Sequence, residues 1–294
     1  MGLQFSEAYL KSKPSMASSI RELTVRAEKS MQNIVTNINL FENWLNISEQ
    51  NPSYNTFRHF PLIERTELRE QMRIALSHKT FVYHNDPDEF RDELEYCGYH
   101  QTLAAMDKRP QVEKTRKGNF GEILACEYLE YVEGYEIPVK RFRYNPHPNL
   151  SMRGEDALAF QFGDANGQNR KICVVESKVQ NRFNVTNTRN AVQDQLATRK
   201  YIVSIMFVSQ VLWDKGEKDK SRAVREFINR TMPNAPIRND FLMLITGNNP
   251  ENPFDVITQI DLAGVNLTAT NLSLENLSGF VKDLYEAEID ESLL

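Results

Sequence analysis

The six residues VVESKV, 174–179, place a carboxylate, Glu176, and an ammonium, Lys178, two positions apart inside an apolar run. Side chains of an extended segment alternate between faces, so both charges share a face with Ile172 and Val174, and Cys173, Val175, Ser177 and Val179 share the other. EDALAFQF, which begins just before Asp156, is a second extended segment. There Ala157, Ala159 and Gln161 lie on one face, and Asp156 sits at the end of the face formed by Leu158, Phe160 and Phe162.

If the two segments form a hairpin around GDANGQ, Asp156 falls opposite residue 175 or 176. The parity of the register then decides whether the two acids are neighbours. Carboxylates placed side by side repel unless a proton or cation lies between them. A hard divalent cation is a natural remedy, because Mg²⁺ takes carboxylate, carbonyl and water oxygens and uses one or two carboxylates. Lys178 would then reach a water or phosphate oxygen near the metal. Taken alone, an E-x-K tripeptide is as well explained by a surface ion pair of little energetic weight. The apolar flanks and the acid one hairpin away favour chemistry.

The elements that must position these residues follow from periodicity. Ile20, Leu23, Ala27, Met31, Ile34 and Ile38 recur at helical steps within 16–48. RTELREQMRIALSHK starts a helix near Thr66, and DPDEFRDELEYC starts another at Asp86–Pro87. Polar, proline-containing stretches at 50–63 and 107–117 read as loops. A mostly helical region over 1–110 is thus expected before a second unit over 111–294. In that unit NFGEILACEYLEYVEG is a helix with Glu122 in its first turn, YEIPVKRFRY is extended, and the hairpin follows. A helical region spans about 187–230, DFLMLIT is a short strand, FDVITQIDLAG is a candidate strand, and LENLSGFVKDLYEAE is a last helix. DLAGVNLTATNLSLENLSGF carries a five-residue pattern too short for a solenoid and reads as a loop. The order predicts an α/β fold, a mixed sheet flanked by helices.

Gly121-Glu122 on a helix, Asp156 opening one strand and Glu176-Ser177-Lys178 closing the next resemble the PD-(D/E)XK nuclease superfamily. More narrowly, KGNFGEILACEYLE, RGEDALAF and VVESKV look like HamA, the nuclease subunit of the Hachiman antiphage system, over roughly 115–285. The segment departs from the superfamily motif in lacking a proline before Asp156, and Glu155 competes for that acid's role. The resemblance implies a restriction-endonuclease-like sheet. It assigns metal binding to Asp156, Glu176 and the Ser177 carbonyl, with Mg²⁺ or Mn²⁺ as the cofactor. Lys178 would orient the attacking water, and Glu122 would add a further contact. Gln193, or Gln195, would brace the lysine or touch phosphate. A helicase partner in phage defence is implied as well. An inactive nuclease-fold scaffold and an RNA-cleaving toxin are the rival readings.

Charge agrees with a nucleic-acid substrate only locally. The chain of 294 residues carries a net charge of −5, yet residues 170–230 hold 13 Lys and Arg against 6 Asp and Glu. Arg182, Arg189, Arg199 and Lys200 are the candidate DNA contacts closest in sequence to the acids, and such contacts position a backbone without reading bases. Three scattered cysteines point to a reducing cytosol, and no stretch suits a membrane helix. The five histidines lack zinc-ligand spacing, and no phosphate-binding GxxxxGK[ST] loop is present.

Overall fold

The computed structural model describes residues 39–48, 56–97, 106–152, 154–164, 168–197, 201–228, 235–262 and 264–288. In chain order the elements are α1 (Leu40–Asn43), β1 (Leu45–Ile47), β2 (Phe57–Glu64), α2 (Arg69–His84), α3 (Pro87–Cys97), α4 (Glu113–Tyr131), β3 (Ala157–Gln161), β4 (Lys171–Gln180), α5 (Val185–Ala197), α6 (Tyr201–Asp214), α7 (Lys218–Arg225), β5 (Ile237–Thr246), β6 (Asn266–Ser273) and α8 (Leu277–Glu286).

Among the described residues the strands form one mixed sheet in the order β1-β2-β6-β5-β4-β3. The inner pairs β2–β6, β6–β5 and β5–β4 are parallel, and the two edge pairs are antiparallel. Phe241 to Ile245 form an unbroken buried run in β5, as a parallel strand covered on both faces requires. One face, carrying Ala157, Ala159, Cys173, Val175 and Met243, packs on Phe120, Ile123 and Leu124 of α4 and on residues of α2 and α8. The opposite face divides its cover. Leu158, Phe160, Ile172 and Val174 meet Ile205 and Leu212 of α6 and Val224 of α7, whereas Leu242 and Leu244 meet Ala191 and Val192 of α5. Full burial of each large apolar side chain stabilises by about 1.5–3 kcal/mol. The α/β expectation holds, with helices on both faces of a mixed sheet.

Several local expectations are corrected. Residues 57–63, read as loop, belong to β2, and the supposed loop around NLTATNLS is β6, an interior strand. Its polar residues are accommodated singly: Asn271 pairs with His59 at 2.6 Å across β2–β6. FDVITQIDLAG holds a 3-10 turn at Asp255–Gln259 in place of a strand. Of the expected helix over 16–48, residues 39–48 contain only α1 before β1 begins, and the apolar stripe from Ile20 to Ile38 lies outside the described residues. β1 and β2 join the same sheet as β3–β6, and Leu40, Trp44 and Leu76 share a core with Phe120 and Phe241.

α4 begins at Glu113, so residues 113–117 are helix and Glu122 lies mid-helix, not in a first turn. Charge in that first turn misled the reading because Arg116 is buried. Its guanidinium donates to the Pro110 carbonyl, Gln111 Oε1 and Glu286 Oε1, which pins the start of α4 to the end of α8. α4 approaches β4 closely at Gly121, where an added Cβ would lie 2.6 Å from Val179 Cγ2 and 3.1 Å from Ser177 Oγ. Gly121→Ala is therefore expected to destabilise the fold by about 1–3 kcal/mol through overpacking. Chemical denaturation should register this as a lower midpoint with an unchanged slope.

Candidate active site

The register is Ala157↔Val175, Leu158↔Val174 and Ala159↔Cys173. Continued by one residue, this pairing sets Asp156 opposite Glu176, the parity that makes the acids neighbours. β3 begins at Ala157, so beyond Val175 the backbone of β4 has no ladder partner on that side. The Asp156 carboxylate fills the gap: its Oδ2 accepts from the Ser177 backbone N–H at 2.7 Å and from Ser177 Oγ at 2.9 Å. A buried N–H needs such a partner, and here a side chain stands in for a strand. The N–H and C=O of one strand residue point the same way. The Ser177 carbonyl therefore faces the same gap, beside the acid.

Glu176 and Lys178 project together from the other side of the pleat, half-buried, and the Lys178 ammonium donates to Glu176 Oε1. Burial and the Asp156 carboxylate push the Glu176 carboxyl up to about 7, against the opposing pull of Lys178. Burial disfavours the Lys178 ammonium, but Glu176, Asp156 and Asp194 outweigh it and hold the lysine above its ordinary value. Glu122 is buried, and its Oε1 accepts no hydrogen bond. Burial drives its carboxyl well above the usual range; Arg141 opposes this, and Asp156 and Glu176 reinforce it. Arg141 ties the group together, with Nε 3.4 Å from Glu122 Oε1 and Nη1 donating to the Asp156 carbonyl at 2.9 Å.

Asp156, Glu176 and the Ser177 carbonyl are the oxygens that could hold a metal, and the donor set suits a hard cation. Two neighbouring acids with one of them raised in pKa, and a third acid with an unbonded buried oxygen, are what a bound cation would relieve. Among the described residues no three Asp, Glu, His or Cys side chains are already gathered to hold an ion.

The other sequence-predicted residues divide. Arg182 is exposed in the turn after β4, and Arg189 and Gln193 are exposed one helical turn apart on α5. Arg189 donates to Gln259 Oε1 at 2.9 Å. Arg199 and Lys200 lie outside the described residues. Gln195 is buried, and its amide donates to the carbonyls of Val174 and Phe241, so it buttresses β4 and β5 rather than facing a substrate. Glu155 is buried, and its Oε2 accepts from the Ser204 hydroxyl.

The HamA family model matches residues 38–287, most of the chain, with all four proposed catalytic positions inside it. The chain belongs to the HamA family. Hachiman protein HamA of Bacillus cereus is 29% identical over 140 residues, which is 46% of each chain, so the similarity spans about half the length of that relative.

Two residues beside the acids of this HamA-family chain escaped sequence reading. Arg141 sits in the basic run KRFRY, which carries no motif, and Asp194 follows Gln193 on α5, close enough to act on both Glu176 and Lys178. Only the spatial approach of three elements marks them.

A testable consequence concerns pH. The Glu176 carboxyl titrates higher in the folded chain than in the unfolded one, so the folded state holds the extra proton between the ordinary carboxylate range and about 7. Stability from this group is then present at the acid end of that window and lost as pH rises through it. Glu176→Gln should raise the thermal midpoint at pH 8, by an amount equivalent to roughly 1–3 kcal/mol, and leave it nearly unchanged at pH 5. Melting curves of both proteins without divalent metal check the sign.

Proposed function

We propose that this HamA-family chain is a metal-dependent nuclease of the PD-(D/E)XK type that hydrolyses phosphodiester bonds of DNA. The observation that supports this most is the β3–β4 register, which sets Asp156 opposite Glu176 with Lys178 one pleat beyond. Mg²⁺, or Mn²⁺, bound by Asp156, Glu176 and the Ser177 carbonyl would polarise the phosphoryl oxygen and lower the pKa of water. Asp156 is held in place by Ser177, so its free Oδ1 is presented without reorganisation. Lys178, now paired with Glu176, would orient the attacking water and stabilise charge on the phosphate. Arg141 holds the Asp156 carbonyl, and Glu122 lies against the Arg141 guanidinium beside it. Arg182 and Arg189 lie on the segment following β4 and would hold the DNA backbone without sequence preference.

The biological setting we infer is phage defence. The relative from Bacillus cereus is a Hachiman protein, and a helicase partner of the same system would direct the nuclease. The competing reading, a nuclease-fold scaffold, draws on the Glu176–Lys178 ion pair and the absence of a preassembled three-acid cluster among the described residues.

Incubation of supercoiled plasmid with the chain and Mg²⁺, with and without the helicase encoded beside it, tests the nuclease reading. Cleavage should fall by about 10²–10⁴-fold in Glu176→Ala and in Lys178→Ala and stop with EDTA. Identical behaviour of wild type and both variants would favour the scaffold. Replacing the plasmid with RNA of similar length should give little product; the reverse preference would indicate an RNase.

A further inference from the structure

A cavity of about 690 Å³ lies along the outer edge of β3, between α6 and the segment 137–142, and its lining includes Asp156, Glu122 and Arg141 of the candidate active site. The backbone explains why it is there. After α4, Glu136 forms an antiparallel bridge with Phe160, and each N–H donates to the other's carbonyl, at 2.8 and 2.9 Å. Continued by two residues, this pairing would set Pro138 opposite Leu158. Proline has no N–H to give a ladder, and the segment leaves the strand there. Contact resumes through a side chain, where Arg141 Nη1 donates to the Asp156 carbonyl at 2.9 Å.

Leu158 is left between those two contacts. Backbone groups two residues apart in a strand point the same way, so the Leu158 N–H and C=O face outward like the Phe160 groups that meet Glu136. Its position opposite Val174 in the β3–β4 ladder is therefore one without hydrogen bonds. Among the described residues neither group has another partner. Both face the gap whose far side holds Ile137, Val139 and Arg141, which is the cavity. A strand N–H beside its own C=O, in a space with apolar walls from Val139, Phe207 and Val208, suits a flat group that carries an acceptor next to a donor.

The nuclease reading above says which flat group is at hand. Next to an acid that meets the scissile phosphate, the part of a nucleotide that fits apolar walls is its base. Each base has a donor beside an acceptor on its pairing edge: adenine N6–H by N1, cytosine N4–H by N3, guanine N1–H by O6, thymine N3–H by O4. We propose that the cavity takes up one unpaired base of the strand being cut, with its pairing edge on the Leu158 backbone. In a duplex that edge belongs to the complementary base, so the site selects single-stranded or unwound DNA. All four bases offer the pattern, so it selects no sequence. The proposal rests on the nuclease reading and adds the state of the strand to it.

Fluorescence anisotropy on the full chain in EDTA tests the site without cleavage. The probes are a labelled single strand of mixed sequence, the duplex of the same sequence, and a strand of equal length made of abasic deoxyribose phosphates. The single strand with bases should bind at least about tenfold more tightly than either of the others, the size of effect that one docked base supplies. Val203 lines the cavity and is 73% exposed. Val203→Trp should obstruct the cavity and bring the single strand down to the affinity of the abasic one. Ile74→Trp, at an exposed position of α2 outside the cavity, should leave the ranking unchanged. A duplex or abasic strand bound as tightly as the single strand would overturn the proposal, as would a ranking that Val203→Trp leaves intact. Should that variant fail to fold, Val203→Phe repeats the test with a smaller obstruction. Adding Mg²⁺ separates the two readings. Selective binding of the single strand without cutting would refute the nuclease reading and leave the docked base standing. Cutting that ignores bases and strand state would do the reverse.

Discussion

A missing ladder partner is the constraint from which the site follows. β4 runs past the start of β3, so the Ser177 N–H would be left unpaired at the sheet edge if Asp156 did not reach across to it. Satisfying that donor fixes the acid's position, directs one carboxylate oxygen inward, and leaves the Ser177 carbonyl facing the same gap. The same carboxylate that completes the sheet is the one proposed to hold a metal. Its placement therefore comes from backbone hydrogen bonding, which is stiff, and not from a flexible loop.

Electrostatics then keep the site in a balanced resting state. Glu122 and Glu176 lie near the Asp156 carboxylate where burial penalises their ionised forms, and Arg141 and Lys178 offset only part of that cost. Lys178 compensates Glu176 directly. The ion pair and the proposed cation thus compete for one carboxylate, and any partner or substrate that draws Lys178 toward a phosphate would favour the cation.

The architecture serves this arrangement from both sides of the sheet. α4 approaches β4 closely at Gly121, which brings Glu122 from the helix to the acids on the strands. Gln195 of α5 holds β4 and β5 together from the opposite face, and α6 closes the cavity along the β3 edge. β1 and β2, from the first quarter of the chain, extend the sheet on its far edge, away from the site.

Much of this was legible in the residues. Alternation in ALAFQ and KICVVESKVQ assigned the buried side chains of the hairpin to their observed faces, and the apolar run FLMLIT marked a strand, because buried faces leave a period-two or continuous apolar trace. Polar β6 and proline-containing β2 left no such trace; their strand character comes from neighbours that pair with them, so local sequence read them as loops. Glu122 was placed in a first helical turn because the burial of Arg116 and the true start of α4 depend on α8, 170 residues away. The sequence by itself determined which residues could share a strand face and which charges lay near one another along the chain. Only the tertiary structure decided the register that joins Asp156 to Glu176, the arrival of Glu122, Arg141 and Asp194 beside them, and the cavity along the β3 edge. Those depend on contacts between segments distant in the chain, whose geometry no local pattern encodes.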